Sequence, residues 1–162
     1  MKNFPFKAIN PDTDKEETFW YSRSIAVCIT VFATDPEGSL CVLANKRGPD
    51  CPDFIGYWVC PCGYLDFNET AVEAVARECF EETGIALPTA AIRFTGYNDN
   101  PTNNRQNVSL RFTIDIGYTK ETTSIHNEGN ETTEIKWIPV KEIDSYNWAF
   151  NHKQLIKEHQ KL

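Results

Sequence analysis

Residues 63–85 run GYLDFNETAVEAVARECFEETGI. This stretch contains a loop, a helix start, a helix and a helix stop in immediate succession. Thr70-Ala71-Val72-Glu73 fits a capping box, in which a threonine hydroxyl and a glutamate carboxylate satisfy each other's free backbone N–H groups. Gly84 can adopt the left-handed conformation that ends a helix, and Pro88 blocks its resumption. The spacing therefore predicts a helix over about residues 71–83. At 3.6 residues per turn, Val72, Val75, Ala76 and Cys79 form the apolar stripe. Glu78, Glu81 and Glu82 share an adjoining face, with the small residues Ala71 and Ala74 leaving room for a ligand above them.

That acidic face is unfavourable on helical grounds alone. Like charges four residues apart destabilise a helix by about 0.2–0.5 kcal/mol. Acids near the C-terminus also oppose the macrodipole. A solvated acidic face would explain three glutamates, but not the Gly63 loop, Glu69, Arg77 and the Gly84 stop at these fixed spacings. A bound divalent cation explains them together. Arg77, four residues before Glu81, is placed to hold that carboxylate through a forked hydrogen bond.

The segment resembles the Nudix box, G-x5-E-x7-R-E-U-x-E-E-x-G-U, where U is a bulky apolar residue. Gly63, Glu69, Arg77, Glu78, Glu81, Glu82, Gly84 and Ile85 occupy motif positions. Cys79 stands at the first U position, where a cysteine packs as a small hydrophobe. The lead-in Trp58-Val59-Cys60-Pro61-Cys62-Gly63 has Cys62 where the family usually has a glycine. The resemblance implies an α/β (α+β) fold, an α/β/α sandwich around a mixed central sheet. It also implies metal-dependent hydrolysis of a nucleoside diphosphate linked to another group, with ADP-ribose or a nucleotide sugar expected ahead of a (deoxy)nucleoside triphosphate. The implied metal, Mg²⁺ or Mn²⁺, would be held by Glu78, Glu82, Glu81 and the backbone carbonyl of Gly63. Glu81, Arg77 and Glu69 take the supporting catalytic roles. The chemistry agrees, since hard cations bind carboxylates and phosphates together and acidify a bound water. A nucleotide sensor without turnover is the reading from another class. It is disfavoured because the box acids are intact and the length leaves no room for an added DNA-binding module.

The 162 residues are expected to form one domain, 1–162, and the 41% hydrophobic content suffices for a core. A net charge of −7 argues against a nucleic-acid-binding surface, which needs clustered lysine and arginine. It leaves a small nucleotide as the expected partner. No apolar run reaches the length of a membrane span, and the N-terminus lacks a signal-like apolar segment. A cytoplasmic protein is expected, with a homodimer left open. Cys28, Cys41, Cys51, Cys60, Cys62 and Cys79 are expected to be reduced thiols. Cys51, Cys60 and Cys62 lack the paired C-x-x-C knuckles of a zinc site.

Elsewhere the pattern predicts a turn at residues 10–14 and an edge strand over 16–23. A buried strand is expected over 24–33, in a hairpin with 40–46 across the turn 35–38. Short strands are expected at Trp58, over 92–98 and over 135–140. Residues 108–118 alternate, with Val108, Leu110, Phe112, Ile114 and Ile116 facing one way. Residues 119–133 read as a loop, and 148–161 as a closing helix. Arg47 and Arg105 are candidate phosphate contacts, as planar guanidinium groups suit that role. Glu128, Glu131 and Glu134 are candidates for a further metal ligand or general base outside the box, with solvated loop acids as the alternative for each.

Overall fold

The computed structural model describes residues 2–102, 107–120 and 129–162. Its centre is the apolar run predicted at residue 24, which forms β3 (Ser24–Thr34). β4 (Leu40–Arg47) returns antiparallel to it, with Phe32 opposite Val42 and Thr34 opposite Leu40. β8 (Asn107–Tyr118) lies along the other edge of β3 and runs parallel to it, so the sheet is mixed. β7 (Arg93–Asn98) pairs antiparallel with β8. β5 (Trp58–Val59) and β9 (Thr132–Pro139) pair with β4, and β6 (Cys62–Tyr64) pairs with the first half of β3.

Alternation along β3 divides the core into two layers, because successive side chains point to opposite faces. Val27, Ile29 and Val31 join Leu43, Phe112 and Ile114 under α1 (Ala71–Thr83), which contributes Ala74, Val75 and Cys79. Cys28 and Phe32 join Val42, Ala44 and Ile138 on the opposite face, covered by Leu155 and Ile156 of α2 (His152–His159). One helix layer on each side of a mixed sheet is the expected α/β/α sandwich. A buried polar chain ties α2 to the sheet. Thr30 Oγ1 lies 2.7 Å from His159 Nδ1 and donates to Thr113 Oγ1 over 2.9 Å.

The structure corrects several expectations. Residues 16–23 are not an edge of the central sheet. Among the described residues, β2 (Lys15–Tyr21) pairs only with β1 (Phe4–Asn10), in a separate two-stranded hairpin held by stacked Phe4–Tyr21 and Phe6–Phe19 pairs. β9 starts at Thr132 rather than Ile135, because Thr132 is buried and accepts a hydrogen bond from Asn45. The closing helix begins at His152 rather than Trp148. Trp148 instead pairs with Trp58 in an isolated bridge and donates its indole N–H to the Ile143 carbonyl. Ala74 is fully buried and Ala71 packs against the same cluster, so they belong to the core and not to a ligand face. Among the described residues, no helix is long and apolar enough to cross a membrane.

Candidate functional site

The capping box forms as predicted. The Thr70 hydroxyl accepts from the Glu73 N–H, Glu73 accepts from the Thr70 N–H over 2.8 Å, and Gly84 ends the helix at φ 71. α1 is thereby fixed at both ends, and its glutamates approach β6 across one edge of β3.

Arg77 is the hub of this face, but its fork closes on a different carboxylate from the one expected. Nε and Nη2 donate to the two oxygens of Glu69, over 3.0 and 2.7 Å. Nη2 also donates to the Tyr64 carbonyl, while Nη1 donates to Glu78 over 2.9 Å and to Glu81 over 3.0 Å. The reason is geometric. Glu69 sits in the loop before the helix and meets the guanidinium edge-on, whereas Glu81 on the same helix reaches only one nitrogen. The fork holds the Glu69 carboxyl below the usual carboxylate range, and Glu69 in turn accepts from the Asp66 N–H. One guanidinium thus ties loop, strand and helix together.

Burial pushes the other carboxyls up. Withdrawal from water raises Glu78 above its ordinary value, opposed by Arg77. It raises Glu82 to about 8, although the Cys62 N–H donates to Glu82 over 3.0 Å. A Cβ at Gly63 would run into the Glu78 carboxylate, so this glycine lets the strand approach an acid. Nearby Asn45 has a buried Oδ1 with no hydrogen-bond partner among the described residues. Two carboxylates drawn out of water, a bare backbone beside them and an orphaned amide oxygen form a set of hard oxygen donors. They fit a Mg²⁺-like ion. Among the described residues, no three His, Cys, Asp or Glu side chains gather into a protein-only cage. Mg²⁺ needs none, since it binds through one or two carboxylates and keeps several waters.

Gly63, Glu78 and Glu82 line a cleft of about 1030 Å³. Arg47 lines it, as does Glu131, while Glu134 lies outside and is salt-bridged to Lys46 at 3.4 Å. Arg105 and Glu128 fall outside the described residues. Sequence reasoning missed Phe54, Phe150 and His152, which also line the cleft. His152 accepts from the Cys60 N–H through Nδ1 over 3.1 Å, so Nε2 carries the proton and faces Cys28 Sγ at 3.6 Å. Nothing in the local sequence flags any of these three, because folding brings the loop after β4 against the loop before α2 and the start of that helix.

Two predictions follow from this geometry. Gly63→Ala should push the Glu78 carboxylate aside while leaving the fold intact. Activity and divalent-metal affinity should each drop about tenfold or more with little change in Tm, and unaltered metal affinity would refute it. The second concerns pH. Folded metal-free protein keeps a proton on Glu82 up to about pH 8, whereas the unfolded chain releases it near the ordinary value of 4.5. The contribution of this group to stability is therefore full at low pH and is lost as pH rises through that window. The Tm of chelator-treated protein, compared with Glu82→Gln, should fall from pH 5 to pH 8. A flat difference would count against a buried Glu82.

Comparison with known proteins adds to this picture. A family model, the NUDIX domain, matches residues 23–159. A MutT-like protein from Streptomyces ambofaciens is 33% identical over 88 residues, covering 54% of this chain and 51% of that one. The match thus spans about half of that relative. An ADP-ribose pyrophosphatase from Methanocaldococcus jannaschii is 25% identical over 130 residues, covering 78% and 69% of the two chains. Among solved structures, the NUDIX domain of Shewanella oneidensis NrtR, complexed with ADP ribose, matches with a TM-score of 0.71. Identity is 22%, over 94% of this chain and 92% of that one.

Proposed function

This chain belongs to the Nudix family, and from that premise we propose that it hydrolyses the pyrophosphate bond of a nucleoside diphosphate linked to a second group. The observation that carries the reading is the arrangement at Gly63. Two carboxyls raised by burial, Glu78 and Glu82, border an open cleft, and Gly63 lies against Glu78. Glu78 and Glu82, with the Gly63 carbonyl, would hold a divalent ion, Mg²⁺ or Mn²⁺, while Glu81, held by Arg77, would help activate a water. Such an ion supplies neutralisation of pyrophosphate charge and an acidified water. The chain's own residues do the rest. Arg77 holds Glu69, Glu78 and Glu81 in fixed relation, the Cys62 N–H orients Glu82, and Arg47 faces the cleft as the phosphate contact. Of Glu131 and Glu134, Glu131 is the one that lines the cleft, and it is the candidate for a further base or ligand.

ADP-ribose or a nucleotide sugar is the substrate class preferred over (deoxy)nucleoside triphosphates. The support is a relative named ADP-ribose pyrophosphatase and a similar fold complexed with ADP ribose. A reducing compartment such as the cytoplasm fits the six unpaired thiols. The test is a hydrolysis screen with Mg²⁺ against ADP-ribose, nucleotide sugars, dinucleoside polyphosphates and all (d)NTPs, with products identified. Release of AMP and ribose 5-phosphate from ADP-ribose is expected. Tight binding with no turnover of any compound would replace the hydrolase reading with that of a sensor.

A further inference from the structure

The cleft has two chemically different ends, and the box residues lie between them. At one end Phe54, from the loop after β4, meets Phe150, from the loop before α2. Their ring centroids are 4.9 Å apart and tilted by 63°. The Arg47 guanidinium sits 5.3 Å from the Phe150 ring centre and is anchored by Asp53 at 2.8 Å. Both phenylalanines have left-handed backbones, φ 51 and φ 52. Among the described residues only one other non-glycine does so, Asp14 in the hairpin turn. Asp tolerates this conformation, but an aromatic residue rarely adopts it. Such strain clusters where a ligand is clamped. Core packing does not account for it, because Phe54 is 42% exposed and Phe150 43%.

At the other end the cleft is lined by amides and a hydroxyl. Asn98 on β7 lies opposite Ser109 on β8, with Asn107 two residues along the same strand. Strand order sets the separation. β6, which carries Gly63, pairs with one edge of β3, while β8 pairs with the other edge and β7 lies beyond it. Three strand spacings of about 4.8 Å place Asn98 about 14 Å from β6. Arg47 and Phe54 leave from β4, which joins β3 on the β6 side.

We infer that the Phe54–Phe150 corner takes the nucleobase and that Asn98, Asn107 and Ser109 take the polyhydroxylated group on the far phosphate. The placement rests on the pyrophosphohydrolase reading for the phosphates that lie between. Flat aromatic faces stack any base, and Arg47 beside Phe150 adds a cation near the first phosphate. Amides and hydroxyls both donate and accept, as sugar hydroxyls require. A nucleoside triphosphate would fill the aromatic end and the middle and leave the amide end to water. The two ends therefore select a nucleoside diphosphate joined to a sugar.

The two halves of such a substrate test the ends separately. Binding of AMP and of ribose 5-phosphate is measured by calorimetry for wild type, Phe150→Asn, Phe54→Leu and Asn98→Ala. Phe150→Asn keeps a residue that tolerates the left-handed backbone, so its Tm should hold, and a Tm measurement checks this. The aromatic variants should weaken AMP at least tenfold and leave ribose 5-phosphate within twofold, and Asn98→Ala should do the converse. Equal weakening of both compounds, no weakening, or no binding of either by wild type overturns the assignment. Because binding needs no turnover, the outcomes separate from those for catalysis. A protein that shows the split but cleaves nothing refutes only the hydrolase reading. One that cleaves ADP-ribose without the split refutes only this assignment.

Discussion

Glu82→Gln is expected to lower kcat by about 100-fold or more while the protein stays folded. Losing a metal-binding carboxylate forfeits several kcal/mol of charge stabilisation, and about 1.4 kcal/mol corresponds to a factor of ten. Glutamine keeps the shape and can still accept the Cys62 N–H that now reaches Glu82 over 3.0 Å. What disappears is the charge. Burial already disfavours that charge in the metal-free protein, raising the carboxyl to about 8. The variant should accordingly match wild-type stability near pH 5 and exceed it at pH 8 without metal. Added Mg²⁺ should raise the Tm of wild type more than that of the variant. A loss of less than tenfold in kcat at saturating Mg²⁺ would remove Glu82 from the essential ligands.

The helix that carries these acids was legible because its signals are local. Thr70, Glu73 and Gly84 act within four residues of the backbone groups they satisfy, and the structure places α1 at residues 71–83 as expected. The buried strand at 24–34 was legible for a similar reason, since its uninterrupted β-branched run has no other stable place. Contacts closed by tertiary packing were not legible. Glu69 is eight residues from Arg77 and lies in a loop, so helical periodicity could not select it over Glu81. The assignment of Ala74 failed because the core-facing arc is wider than the predicted stripe and takes in both Ala74 and Val75. Phe54 and Phe150 lie in separate loops, and a left-handed backbone at phenylalanine leaves no trace in the sequence. The N-terminal hairpin was only half visible. Its register rests on aromatic pairs between strands, which no single strand reveals.

Arg77→Lys is the second large effect, and the fork on Glu69 sharpens it. Five hydrogen bonds leave this guanidinium, to Glu69 twice, Tyr64, Glu78 and Glu81. Lysine offers three donors on one compact ammonium and cannot span the two oxygens of Glu69 while reaching two acids on the helix. The change leaves the charge near the site almost the same and removes the geometry. Partners that orient metal ligands typically matter 10–100-fold. A kcat loss in that range is expected, together with weaker apparent Mg²⁺ affinity. The loop should respond as well. Glu69 accepts from the Asp66 N–H, so releasing its carboxylate should loosen residues 65–70. Amide exchange there should quicken in Arg77→Lys and remain slow in Glu82→Gln, which leaves the fork intact. This contrast separates a positioning role for Arg77 from a purely electrostatic one. If Arg77→Lys matches wild type in kcat, Mg²⁺ affinity and exchange, charge alone suffices and the fork is incidental.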